Sequence, residues 1–267
     1  MFLKVYIVCD LEGVAGIIDF KKQCIESGAY YQQAIRVATL ELNALIEGLL
    51  EGGATEIYAW PGHWDFPGGI DFELIHPECK LVMHAGDGGP AGVDASFDAM
   101  IQHGLHGMPG APGGIMSHGF AAGMWFDDQG IGEISMNIYT FSEYDVPCIM
   151  VTGDQAAVDE ARELIPNIEG VPVKWGLKEK SKHGAMTIRQ GISLSPVKAR
   201  EIIKEAAKRT IQRIDEFKPL KLKKPFTQKV KFIKSKNAKE KAKLPGVTLI
   251  DDVTISKECQ GLEDLIF

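Results

Sequence analysis

The chain has 267 residues, 45% of them apolar and 24% charged, with a formal net charge of −7. This is an ordinary globular composition, enough for one substantial domain with a smaller companion. The negative balance gives no general case for nucleic acid or an anionic membrane, and no apolar run approaches the roughly 20 residues of a membrane-spanning helix. The first residues, Met1 to Val5, have no basic region, long apolar core or small-residue cleavage site, so no secretory leader is expected. Cysteines stand at 9, 24, 79, 148 and 259, widely spaced and with no Cys-x-x-Cys pair. That pattern argues against a disulfide framework or a cysteine zinc site and fits a reducing cytoplasm.

An apolar run from Val5 to Cys9 predicts a first strand closing in Asp10-Leu11-Glu12-Gly13. Residues two apart on a strand point the same way. A strand that persists through Glu12 would set both carboxylates on one face at its carboxyl end, the edge where open α/β sheets bind ligands. Ile35, Ala38, Leu42, Leu45 and Leu49 recur at helical spacing and predict a helix over 30–51, stopped by Gly52-Gly53. A second strand, Glu56 to Trp60, completes a β-α-β unit with its strands parallel and leads into Pro61-Gly62-His63.

Leu81-Val82-Met83 and Ala99-Met100-Ile101 are candidates for a third and a fourth strand. The stretch 104–114 is rich in glycine and proline and reads as loop, carrying His106 and leading to His118. Glu133 reads as opening a short helix to Phe141, with a strand as the competing reading. Val146 to Val151 is a late strand, followed by a helix over 156–164. Beyond about Val171 the texture changes. Ser195-Pro196 has the form of a helix N-cap with proline at the first position, opening a helix to about Ile214. Lysines crowd 218–243, with an exposed strand near 227–232, and a last strand is expected over 253–256. The expected architecture is α/β: a mostly parallel central sheet flanked by helices over 1–168, with a smaller C-terminal α+β domain over 169–267.

Asp10, Glu12, His63, His106, His118 and Glu133 each fall at a strand end, in a glycine-rich loop or at a helix start. Carboxylates mixed with imidazoles are the donor set of zinc, manganese or related divalent ions. Two ions about 3.5–4 Å apart need a bridging carboxylate and further ligands on each side, and Asp10, Glu12, His63, His106 and Glu133 supply that number. Each also has a plainer reading, as a packed loop histidine, a solvated loop residue or a first-turn helix acid. His76, His84, His103 and His183 are read as structural or surface residues.

The same residues carry a resemblance. Asp10-Leu11-Glu12-Gly13-Val14-Ala15-Gly16 resembles the Asp-x-Glu-Gly opening of the zinc-dependent D-aminopeptidases, self-compartmentalising metallopeptidases. The match continues in order through Glu41-Leu42-Asn43-Ala44, Gly104-Leu105-His106, Gly114-Ile115-Met116-Ser117-His118, Gly132-Glu133, Asp145-Val146-Pro147, Val151-Thr152-Gly153-Asp154 and Glu163-Leu164-Ile165-Pro166. It covers most of residues 3–215. The resemblance implies a dinuclear zinc aminopeptidase acting on N-terminal D-residues of short peptides; amino-acid amides are a further expected substrate, manganese or cobalt the expected substitute ions, and the cytoplasm, from the cysteine pattern, the expected location. By the same resemblance Asp10 bridges the ions, Glu12 and His106 complete one, and His63 and Glu133 complete the other. His118 is then the catalytic residue, as nucleophile or as acid/base beside a metal-activated water, and the assembly is a homodecamer.

One departure stands out. The family pattern carries Asn-Asp ahead of the ligand histidine, whereas this chain has Trp60-Pro61-Gly62-His63 and then the bulky loop Trp64-Asp65-Phe66-Pro67-Gly68-Gly69. Loss of such an outer-shell partner can cost about 10–100-fold in metal affinity or activity. Two competing functions are a non-catalytic metal-binding relative and an amidase of different range. A nucleic-acid role for the lysines of 218–243 is disfavoured, because few aromatics are interleaved with them for base stacking.

Overall fold

The computed structural model describes residues 2–63, 66–83, 89–183 and 186–266, without the side chains of 178–183 and 186–189. In chain order the elements are β1 (Lys4–Cys9), α1 (Tyr31–Gly52), β2 (Glu56–Pro61), β3 (Cys79–Leu81), β4 (Ala99–Leu105), β5 (Met116–Ser117), β6 (Gly123–Phe126) and β7 (Gln129–Gly130). They continue with α2 (Glu133–Ser142), β8 (Cys148–Asp154), α3 (Gln155–Leu164), β9 (Glu169–His183), β10 (Met186–Ser193), α4 (Pro196–Ile211), β11 (Phe226–Lys231), α5 (Ser235–Lys241), β12 (Val247–Leu249) and β13 (Thr254–Cys259).

An eight-stranded sheet runs β3-β2-β1-β4-β8-β9-β10-β5. The first six strands are mutually parallel, and β10 and β5 add an antiparallel edge. The expected mostly parallel α/β sheet is therefore present. From β1 the chain steps outward to β2 and β3, then returns to place β4 on β1's other side. That reversal is a topological switch point, which opens a crevice at the carboxyl ends of β1 and β4.

Strand β1 is apolar throughout because both its faces are covered. Val5, Ile7 and Cys9 pack with Leu42, Leu45 and Leu49 of α1 and with Ala199, Ile203 and Ala206 of α4. Tyr6 and Val8 face Ile134, Ile138 and Phe141 of α2 and Ala157, Val158 and Ala161 of α3. Each fully buried leucine contributes about 1.5–3 kcal/mol. Gly53, at φ +112°, ends α1 in the left-handed conformation, and the Ser195 hydroxyl accepts the Lys198 N–H to start α4.

A second, antiparallel sheet has the order β12-β13-β11-β6-β7. Its core residues Met124, Phe126, Phe226, Val230 and Ile255 pack with Met136 and Tyr139 of α2. Helix α2 is thus buried on opposite faces, between the two sheets. The boundary between the sheets does not coincide with the expected division at 168/169. β9 and β10 belong to the large sheet and α4 to its helix layer, while β6 and β7, from mid-chain, join the small one.

Other expectations shift locally. β1 stops at Cys9, so Asp10 and Glu12 lie in a turn and not on a continuing strand face. Gly104 and Leu105 extend β4 into the stretch read as loop. The third strand is earlier than expected, overlapping it only at Leu81, and α4 ends at Ile211 with a separate short turn over Ile214–Glu216. No membrane-length apolar helix occurs among the described residues.

Candidate metal centre

The site is built on the turn after β1. Asp10 N–H donates to His103 O (2.9 Å) and Gly13 N–H to Gly104 O (2.7 Å), so the turn is stitched to β4. The approach is close enough to require glycine on both sides. A Cβ at Gly13 would lie 2.0 Å from Leu105 O, and Gly104, at φ +74°, would place one 2.3 Å from Asp10 O. His106 follows β4 directly, His63 follows β2, and Glu133 begins α2, where an acid is favoured by the helix dipole. The Ser135 hydroxyl accepts the Gly132 N–H (2.9 Å) at that helix start.

These residues converge. His63 Nδ1 lies 3.2 Å from Asp10 Oδ1 and 2.8 Å from Glu12 Oε2. His106 Nε2 lies 3.4 Å from Asp10 Oδ2 and 3.6 Å from Glu133 Oε2. The rings of His106 and His118 stack with centroids 4.0 Å apart and planes at 16°. Donor atoms of Asp10, Glu12 and His106 lie within 4.8 Å of one another, as do those of His106, His118 and Glu133.

Each of the three histidines is oriented by a main-chain carbonyl. His63 Nε2 donates to Cys24 O (2.7 Å), His106 Nδ1 to Gly107 O (3.0 Å) and His118 Nδ1 to Met116 O (2.9 Å). Since a carbonyl only accepts, each donating nitrogen carries a proton, which leaves the other ring nitrogen, in the neutral ring, to present a lone pair to the crevice. Fixing the far nitrogen in this way is the usual support of a metal-ligating imidazole. It also answers the Pro61 departure, because His63 takes its orientation from Cys24. Proline is tolerated there: the N–H groups of Glu56 and Gly62 point to β1, so position 61 points toward β3, which has already ended at Leu81.

The buried polar atoms Asp10 Oδ2, Glu12 Oε1 and His106 Nε2 have no hydrogen-bond partner. Leaving such atoms unsatisfied costs about 1–3 kcal/mol each, and all three are donor atoms a divalent cation would take up. The electrostatics agree. Burial pulls the His63 pKa down, but the Glu12 charge and the Asp10 contact outweigh it and hold it well above the usual range. Burial is likewise outweighed at His106 by the Glu133 charge. Burial pushes Asp10 up, yet its bond with His63 and the charge of His106 leave its carboxyl below the ordinary range. Without a cation, the site gathers positive charge as protons.

Of the remaining histidines, His103 is buried against the Thr152 hydroxyl (2.9 Å), and burial lowers its pKa to about 4. His76 accepts a loop N–H from Glu78, His84 lies outside the described residues, and His183 is described only in its backbone. Trp64 and Asp65 of the bulky loop also lie outside the described residues, while Phe66 is exposed.

Three buried charged residues beside this turn and its neighbours had no role assigned from the sequence. Glu41 of α1 accepts the Ala15 N–H (3.3 Å), and Lys174 of β9 donates to the carbonyls of Glu12 and Ile17. Glu160 of α3 accepts the N–H of Met108, two residues past His106 (2.8 Å). Burial raises both glutamates to about 7. Glu41 was legible in principle, as an acid three residues beyond Ala38 on the apolar stripe of α1.

The sequence model of the D-aminopeptidase family matches residues 3–266. The chain belongs to the D-aminopeptidase family. It is 31% identical over 226 residues to a D-aminopeptidase of Bacillus subtilis (strain 168), covering 82% of this chain and 77% of that protein. It also matches the solved structure of the Zn-dependent D-aminopeptidase DppA from Bacillus subtilis, a self-compartmentalizing protease, with a TM-score of 0.85 at 27% identity. That match covers 97% of this chain and 92% of the other. The family relation thus extends through the C-terminal sheet, beyond the residues whose motifs carried the resemblance.

Proposed function

We propose that the chain is a zinc-dependent aminopeptidase that removes N-terminal residues, D-amino acids foremost, from short peptides or amino-acid amides. One observation carries the reading: the two oxygens of the buried Asp10 carboxylate face different histidines, Oδ1 toward His63 and Oδ2 toward His106. An aspartate so placed can bridge two cations, which supports a dinuclear centre of Asp10, Glu12, His63, His106 and Glu133. The clustering of Asp10, Glu12 and His106 donor atoms within 4.8 Å of one another supports the grouping the resemblance implies, with Glu12 and His106 on one ion and His63 and Glu133 on the other.

Bound zinc supplies Lewis acidity, activating water near neutral pH and polarising the scissile carbonyl. The protein's own contribution is charge, orientation and proton transfer. Asp10 and Glu12 hold negative charge in a buried pocket, and the carbonyls of Cys24 and Gly107 fix the ligand rings. His118, with Nδ1 committed to Met116 O, has Nε2 free to accept a proton and deliver it to the leaving amine. Its ring is held by the stack on His106 and by the edge of Phe20, 6.2 Å away. The relative described as self-compartmentalizing supports a homo-oligomer, which the family resemblance puts at a decamer. Five free cysteines suit a reducing cytoplasm.

The test is a rate screen on D- and L-aminoacyl amides and dipeptides, with metal-free protein supplied with zinc, manganese or cobalt. The expected result is metal-dependent release with preference for D-substrates. Release from L-substrates alone would keep the metallopeptidase and remove the D-specificity. Absence of release with every metal would leave a non-catalytic metal-binding relative.

A further inference from the structure

We propose that the β9–β10 hairpin clamps the metal-binding turn, with Lys174 as the positioning residue. The inference rests on the metal-centre reading above and goes beyond its ligands. Lys174 is only 1% exposed and is among the largest fully buried side chains. Burying an ammonium is costly unless its donors are satisfied. Its Nζ donates to Glu12 O, the main chain of a ligand residue, and to Ile17 O, where the turn ends. The ammonium therefore spans the turn as an internal cation, holding together two carbonyls that flank Gly13–Gly16.

Other contacts act on the same segment. Ser193 of β10 is the register partner of Lys174 across the hairpin, and its hydroxyl accepts the Gly16 N–H (2.8 Å). Glu41 takes the Ala15 N–H from the α1 side. Asp154 stands opposite Lys174 across β8 and β9, and its carboxylate accepts the N–H groups of Ile115 (3.0 Å) and Ala157 (2.9 Å). Main-chain groups at 12, 15, 16 and 17 are thus gripped by three side chains distant in sequence. Asp10 and Glu12, two carboxylates that repel one another in a buried site, are held ready for the cation by this frame. A methionine would fill much the same space as the lysine and supply neither donors nor charge.

The measurement is calorimetric titration of zinc alone into metal-free wild-type and Lys174→Met protein, paired with the visible absorption of the cobalt-loaded forms, which reports coordination geometry. The expected result is affinity about 10–100-fold weaker in the variant, an altered cobalt spectrum and an unchanged far-UV circular dichroism spectrum. Wild-type affinity together with a wild-type cobalt spectrum would overturn the proposal. Should Lys174→Met fail to fold, Ser193→Ala, which alters an exposed side chain, decides in its place. Weaker zinc binding with a changed cobalt spectrum supports the clamp, and wild-type values overturn it. Zinc binding absent from the wild type would remove the metal reading and this inference with it, whereas equal binding and equal cobalt spectra in wild type and variant remove this inference alone.

Discussion

His63 and His118 sit in the same crevice, yet a substitution should remove different things. His63→Ala or Glu133→Ala should release metal and activity together, because each removes a proposed ligand. His118→Ala should keep the metal and lose turnover by about 100-fold or more, the range of a lost general acid/base. Metal content measured beside the rate separates the two, and metal loss in His118→Ala would make His118 a ligand, as its place in the group with His106 and Glu133 allows. The raised pKa values of His63 and His106 set a sign for pH. Protonated in the metal-free protein, these rings must lose protons to bind zinc. Zinc uptake should therefore release protons and weaken as pH falls, which calorimetry in buffers of different ionisation enthalpy reads directly; uptake without proton release would contradict the assignment. The same pairs stabilise the metal-free fold below the unfolded histidine pKa of about 6.5, and that contribution is lost as pH rises through the raised folded values. All six candidate residues were legible because each follows a strand or opens a helix beside glycine. Lys174 was not, because Val173 and Lys174 are both buried where the β8–β9 register shifts, which breaks the alternation that marks a strand's inner face.

Helices α1 and α4 show how closely two elements can be set by a missing side chain. A Cβ at Gly48 would lie 2.2 Å from Lys204 O and 3.0 Å from Ala207 Cβ. Helix propensity favours alanine over glycine by about 1 kcal/mol, while forcing atoms into a packed contact costs about 1–3 kcal/mol. The clash should win, so Gly48→Ala should lower the melting temperature and leave zinc content unchanged in the folded protein. A higher melting temperature would contradict the close α1–α4 contact. α1 was legible from its 3.6-residue apolar spacing and glycine stop, α4 from its Ser195-Pro196 start, and β1 and β2 from their apolar runs. The strands β6, β7 and β12 were not. They are two to four residues long, too short to establish a period, and they exist through pairing, β6 with β11, β12 with β13 and β7 with β6. β9 escaped because Gly170, Pro172 and Gly176 interrupt its apolar pattern.

At the scale of the whole molecule, the fold explains why the site stands where it does. The chain leaves β1 toward β2 and leaves β4 toward β8, on opposite sides of the switch point, and the loops leaving β1, β2 and β4 deliver Asp10, Glu12, His63 and His106 to one crevice. Helix α2, enclosed between the two sheets, brings Glu133 from the other side. The α/β architecture was legible from the β-α-β opening, but the division into sheets was not, since the small sheet combines mid-chain and C-terminal strands that no local pattern links. The lysines of 218–243 lie on that sheet and its flanks, where Lys221 meets Asp145 (2.5 Å) and Lys224 meets Glu143 (2.6 Å). The most direct test of the account is the number of zinc ions per chain in purified wild-type protein and in the Asp10→Ala, Glu12→Ala double variant, measured by elemental analysis after equal exposure to zinc. The account predicts close to two ions in the wild type and a large loss in the folded variant, and full occupancy in that variant would contradict it.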